Sequence, residues 1–215
     1  MIYSGLPSDG QCRQQRNYCY LHNVLFIIIT AYCTKRKLAF DRVRLNVYVN
    51  LYDIPTHEES PTIINAVTEI TKGTSAKYEY VPEWEMFKLD RCLASAMVYP
   101  CNYGFIPHTL AADGDPLDVL VYNNTPVARG TVIECRVIGV LDMEDEGVKD
   151  YKILARPVSH VNKIDGLGCI DPLWLRVAQN FFRHYKDLDK KQVKIGSWYD
   201  KEKAWDIINQ DTISE

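Results

Sequence analysis

The chain has no cysteine pair at CxxC spacing, and its seven cysteines, at positions 12, 19, 33, 92, 101, 135 and 169, are odd in number and scattered. That pattern speaks against a disulfide framework and for reduced thiols in a cytoplasmic protein. No cluster of cysteines or histidines offers the ligand set that zinc needs. The apolar stretch around Leu25-Phe26-Ile27-Ile28-Ile29 runs for about ten residues, too short for a stable membrane span. A glycine-rich G-x-x-x-x-G-K-[ST] loop is missing, which excludes a P-loop nucleotidase. Internal repeats, low-complexity segments and signs of a second domain are missing too.

What is present divides into two unequal parts. At 215 residues the chain is long enough for one sizeable domain, or for one domain with an appendage. The net charge of −3 hides an asymmetry. Residues 1–44 carry seven Lys/Arg against Asp9 and Asp41, a net of +5, whereas the remainder carries 18 against 26, a net of −8. An acidic body argues against nucleic acid as a partner, because phosphate contacts demand a basic face. Residues 1–44 have the apolar heart of a secretory signal but no A-x-A site after it, and Lys35-Arg36-Lys37 follows at once. They are also Arg-containing and acid-poor, as transit peptides are. The reading adopted is an extension without chemistry of its own, ahead of a domain at 45–215; export or organellar targeting is the alternative.

From residue 45 the pattern is one of strands. Leu45-Asn46-Val47-Tyr48-Val49 alternates, and residues 62–70 predict a half-buried strand with Ile63, Asn65, Val67 and Glu69 on one face. Residues 76–81 predict another, with Lys77 and Glu79 on a solvated face and Tyr78 and Tyr80 on a core face. Residues 87–93 follow, with Arg91 between apolar neighbours, the usual place of an ion-pair residue. Tyr99-Pro100-Cys101-Asn102-Tyr103-Gly104 reads as a stiff loop whose tyrosines either pack or donate to an anion. A long strand at 130–140 and its partner at 151–155 flank a charged hairpin loop at 142–150, which by itself reads as solvated. Gln192-Val193-Lys194-Ile195-Gly196 suits a short strand.

Two helices close the chain. Asp171-Pro172 supplies an N-cap and a first-turn proline, ahead of an apolar face of Trp174, Val177, Ala178, Phe181 and Tyr185. Asp200 caps a second helix with Ala204, Trp205 and Ile208 inward. Strands first and helices last predict an α+β, mainly β, fold.

The chemistry is concentrated in Asp113-Gly114-Asp115-Pro116-Leu117-Asp118. Three carboxylates within six residues raise one another's pKa unless a positive charge lies between them. The spacing is not that of the helix–loop–helix calcium loop. An acidic surface turn is one reading; a site for hard divalent cations, Mg²⁺ first, is the other. Taken with Glu69, Glu79, the 142–150 acids, Lys77, Arg91, Lys152 and the tyrosines beside basic residues, the set suits metal-dependent chemistry on a phosphate-containing substrate. A non-catalytic binding module and a divalent-cation-storing protein are the alternatives.

The run Asp113-Gly114-Asp115-Pro116-Leu117-Asp118-Val119 resembles the signature of the family I soluble inorganic pyrophosphatases, D-[SGDN]-D-[PE]-[LIVMF]-D-[LIVMGAC]. Lys77-Tyr78-Glu79, Asp90-Arg91, the Tyr99 to Gly104 run, the Asp145 to Lys152 loop and His184-Tyr185-Lys186 occur in the family's order, over about residues 62–210. The short body is similar to the bacterial and plant type. The resemblance implies a five-stranded, OB-like closed β-barrel with flanking helices, and Mg²⁺-dependent hydrolysis of pyrophosphate to two phosphates. It further implies that Asp113, Asp118 and Asp150 ligate the metal pair flanking the nucleophilic water, with Asp118 bridging. Asp115 would accept that water's proton, and Asp145 and Glu69 would help hold the metals that arrive with substrate. Lys77, Arg91, Tyr103, Lys152, Tyr185 and Lys186 would grip the phosphates, with Glu79 and Tyr99 in the polar shell. Several Mg²⁺ per site, with Mn²⁺ or another divalent ion as a substitute, and a homo-oligomer, hexameric in the bacterial type, belong to the same implication.

Overall fold

The computed structural model describes residues 50–159, 165–189 and 191–214. The strand expected at 45–49 and the extension at 1–44 lie outside the described residues. The described chain runs through β1 (Ile63–Ile70), β2 (Ala76–Val81), β3 (Met86–Cys92), β4 (Asn102–Phe105), β5 (Asp118–Val121), β6 (Val132–Asp145), β7 (Val148–Lys149), β8 (Lys152–Pro157), α1 (Pro172–His184), β9 (Val193–Asp200) and α2 (Lys201–Asp211). It is mainly β with two helices, as expected.

The main sheet is ordered by five pairings. β1 lies antiparallel to both β4 and β6, β4 antiparallel to β5, β5 parallel to β8, and β8 antiparallel to β6. The path of hydrogen bonds from β1 therefore returns to β1. β7 and β9 add to β6, and β2 and β3 form a separate hairpin.

β1 departs from the expected half-burial: seven of its eight residues are buried, Asn65 being the exception. Ile64 and Ala66 pack into one core cluster, while Val67 packs with Tyr80 and Phe105 in another. Cover on both faces overrides the alternating pattern. Thr68 faces Gly104 and Ile70 faces Tyr103, so Glu69 is the extra residue of a bulge. The stiff loop expected at 99–104 is in part a strand, β4, because Gly104 lets β1 approach. A Cβ there would stand 1.8 Å from the Val67 carbonyl oxygen.

The 142–150 segment is a solvated loop only in part: residues 146–149 are exposed, but the strand runs into it. β6 continues to Asp145, and Glu146 and Gly147 form its turn at φ 49° and 92°. Positive φ at both central residues is what a tight two-residue hairpin turn requires.

α1 begins as its residues dictate: the Asp171 side chain accepts from the Leu173 N–H at 2.8 Å, and Pro172 is the first helical residue. Its buried face is Ala178, Phe181 and Phe182, continued by Tyr185. Val177, expected inward, is 48 % exposed, because Phe182 turns the face away from it. In α2, Ala204 and Ile208 are buried as expected, Ile207 joins them, and Trp205 is half-buried.

Candidate active site

The acidic run is held by its own backbone. Gly114 takes φ 93°, which side chains resist, and its N–H donates to the Ala111 carbonyl at 3.1 Å. The Asp115 N–H donates to Asp113 Oδ1 at 3.1 Å, and the Leu117 N–H to Thr109 Oγ1 at 2.9 Å. Leu117 is buried and Asp118 opens β5, so the turn is anchored from the core side and presents Asp113, Asp115 and Asp118 to one cavity.

Glu69 reaches the same cavity from the β1 bulge. Its Oε1 accepts from the Tyr80 N–H at 2.8 Å. Burial pushes its pKa up to about 8, with that N–H opposing the shift. The Arg129 guanidinium lies 3.0 Å from the Tyr78 ring centre, and its Nε donates to the Glu69 carbonyl at 3.0 Å. Arg129 thereby ties β2 to the bulge.

The β6–β7 turn brings in Asp145 and Asp150, the latter's N–H returning to the Met143 carbonyl at 2.9 Å. Burial, with Asp118 nearby, lifts Asp150 to about 6 against the pull of Lys152. Burial, with Asp113 and Asp118, also raises Asp115.

Lysines stand among these acids. Lys152 is 2 % exposed, and its Nζ donates to both Asp118 and Asp150. Burial alone would pull the Lys152 pKa down; the two carboxylates overcome this and hold it above its ordinary range. Lys186 donates to Asp145. Tyr99, Tyr103 and Tyr185 are buried in the aromatic cluster with Phe181 and Phe182, and burial raises their phenols, so they remain hydroxyl donors.

The expected solvated face of β2 is in fact a wall of the cavity, since Lys77 and Glu79 both line it and pair with each other. Arg91 is not among the lining residues. It faces Lys77 across the hairpin, and Asp90 at the bulge bonds to Arg91 and lies 3.5 Å from Lys77, offsetting the like charges. Arg91 Nε also lies 3.7 Å from Asp189, so Arg91 is here the ion-pair residue that its neighbours suggest.

The cavity measures about 240 Å³. Besides thirteen of the fourteen residues singled out from the sequence, all but Arg91, it is lined by Tyr52, Tyr80, Phe105, Pro116 and Phe182. Helical spacing from Ala178 and Tyr185 gives a signal for Phe182; nothing in the sequence marks Tyr52. Seven carboxylates meet three ammonium groups in this lining, an excess of negative charge that calls for cations.

The donor set is all oxygen, which suits Mg²⁺. Among the described residues, no three acid, histidine or cysteine side chains are drawn together tightly enough to hold an ion as they stand. Lys152 between Asp118 and Asp150, and Lys186 on Asp145, account for that spacing. Asp145 Oδ1, however, is buried without a hydrogen-bond partner, as a ligating oxygen would be.

Residues 66–214 match the family model described as inorganic pyrophosphatase. The inorganic pyrophosphatase of Rhodospirillum rubrum is 42 % identical over 173 residues, covering 78 % of this chain and 97 % of that protein. That of Rickettsia conorii is 47 % identical over 156 residues, 68 % of this chain and 88 % of the other. The crystal structure of inorganic pyrophosphatase from Thermus thermophilus superposes with a TM-score of 0.74 at 38 % identity, over 76 % of this chain and 97 % of that one.

Proposed function

The chain belongs to the inorganic pyrophosphatase family, and on that premise we propose that it hydrolyses pyrophosphate to two orthophosphates in a Mg²⁺-dependent reaction at the cavity around Asp118 and Lys152. The observation that carries this reading is the lining itself, seven carboxylates and three ammonium groups with buried phenols between them. Neither an OB-like binding module nor a cation store has a use for that mixture.

Asp113, Asp118 and Asp150 would hold the ions beside the attacking water, with Asp118 shared, and Asp145 and Glu69 those that accompany the substrate. Mn²⁺ is a substitute in the same oxygen set. Ions held there would offset the substrate's charge and acidify the attacking water. Asp115, which lines the cavity between Asp113 and Asp118, would accept that water's proton. Lys77, Lys152 and Lys186 act as point charges on phosphate oxygens, and Tyr103 and Tyr185 donate from fixed rings. Arg91, outside the lining, would reach the phosphates by exchanging Asp90 or Asp189 for phosphate. Glu79 sets the position of Lys77, and Tyr99 supports Tyr103, its ring centre 5.6 Å away. Neutralising the leaving phosphate is the main task in this chemistry, and positioned cations perform it.

The ring of pairings through β1, β4, β5, β8 and β6 supports a five-stranded, OB-like closed barrel. We place the working domain at 45–215, with 1–44 an extension that takes no part in catalysis. A homo-oligomer of the hexameric type and a cytoplasmic location complete the reading. Cys92, Cys101, Cys135 and Cys169 are free thiols, and among the described residues no helix is long and apolar enough to cross a membrane.

The test is phosphate release from pyrophosphate by the purified chain with Mg²⁺, then with excess EDTA. Release that EDTA abolishes is expected; no release from folded, Mg²⁺-supplied protein would end the proposal.

A further inference from the structure

The segment ahead of β1 forms part of the cavity wall. Leu51–Asp53 makes one 3₁₀ turn, fixed at several points. The Asn50 side chain accepts from the Tyr52 N–H at 3.1 Å, and the Tyr52 carbonyl accepts from the His108 N–H at 2.9 Å. The Leu51 N–H donates to the Tyr80 hydroxyl at 3.2 Å. The Tyr52 ring stands edge-on to Tyr80 and Phe105, its centre 5.3 and 4.9 Å from theirs. A ring packed on two sides, on a backbone tied at both ends, holds Tyr52 in the cavity wall.

The Tyr52 phenol is poorly served by the protein. Among the described residues its partner is the Tyr80 carbonyl at 3.5 Å, the outer limit of a hydrogen bond. Burial and the charges of Glu69, Asp115 and Glu79 push its pKa up, so it stays a donor. A fixed, protonated donor with a weak partner gains most from an anionic acceptor, because charge-assisted bonds are about twice as strong as neutral ones.

Resting on the pyrophosphate reading of this cavity, we propose that Tyr52 is a further substrate-contacting residue, whose hydroxyl donates to a phosphate oxygen. The contact is made from a segment that contributes no carboxylate or lysine to the site. It is present in ground and transition states alike, so it acts on substrate affinity rather than on turnover.

The experiment uses the full chain with Mg²⁺ and compares wild type with Tyr52→Phe, which keeps the ring packing and removes only the hydroxyl. Steady-state hydrolysis of pyrophosphate is paired with calorimetric binding of imidodiphosphate, a pyrophosphate analogue with a P–N–P bridge, and with a thermal melt. The expected result is a KM raised about tenfold or more, imidodiphosphate binding weakened by a similar factor, and kcat and Tm little changed. An active wild type with an unaltered KM and unaltered analogue binding in Tyr52→Phe would overturn the role of Tyr52 alone. A folded wild type that hydrolyses no pyrophosphate would overturn the reading of the site and this role with it.

Discussion

Asp118 and Lys152 face each other as register partners across the parallel β5–β8 pair, and the buried Lys152 ammonium bonds to Asp118 and to Asp150 together. The ion pair is thus a consequence of sheet register, not of loop conformation. A buried ammonium left without an anion would cost roughly 3–5 kcal/mol, so this contact stabilises the strands as well as arming the site.

The first prediction concerns that pair. Asp118→Asn is nearly isosteric, keeps an oxygen for Lys152 Nζ and leaves Asp150 to carry the charge. Phosphate release should fall by ~10²-fold or more while the circular dichroism spectrum stays native. Near-normal turnover would remove Asp118 from the proposed metal ligands.

The second is a pH dependence in EDTA. Burial raises Glu69 in the folded state to about 8 from 4.5, so the folded chain retains a proton that the unfolded chain releases. The stability linked to Glu69 is therefore fully present below 4.5 and lost as pH rises through about 8. Glu69→Gln removes this loss. Thermal melts from pH 5 to 8 should show the variant gaining on wild type as pH rises, by a few kcal/mol at most. Parallel curves would show that Glu69 does not carry the shift.

At Gly104 the expectation is steric. A Cβ 1.8 Å from the Val67 carbonyl oxygen cannot be accommodated without moving β4 from β1. Gly104→Ala should lose about 3 kcal/mol or more of stability in urea unfolding, beyond the ordinary range of overpacking. An unchanged midpoint would mean that the two strands separate easily.

Removal of residues 1–43 is the fourth test. It leaves the Asn50 to Asp53 turn and every cavity residue in place, so a soluble protein with wild-type phosphate release is expected. Aggregation or loss of the folded signal would show that the extension belongs to the domain.

Much of this was legible in the chain. Period-two and helical patterns placed most of the elements, Asp171-Pro172 and Asp200 marked both helix starts, and the spacing of Asp113, Asp115 and Asp118 announced a site before any geometry. Those features depend on neighbours within a few residues, and local chemistry writes them directly into sequence. Three things depended instead on long-range packing. β1 is buried on both faces because Ile64 and Ala66 share a core cluster with Ala204 and Ile208 of α2, while Val67 packs with Tyr80 of β2 and with Phe105. Lys77 and Glu79, which alternation assigns to solvent, face the acids because the hairpin closes one side of the cavity. Tyr52 joins the site only because Tyr80 and Phe105 hold its ring there. The sequence by itself marked most of the groups able to do chemistry; the tertiary structure decided which of them meet, because residues as far apart as Tyr52 and Lys186 come to line one cavity only through strand register and core packing.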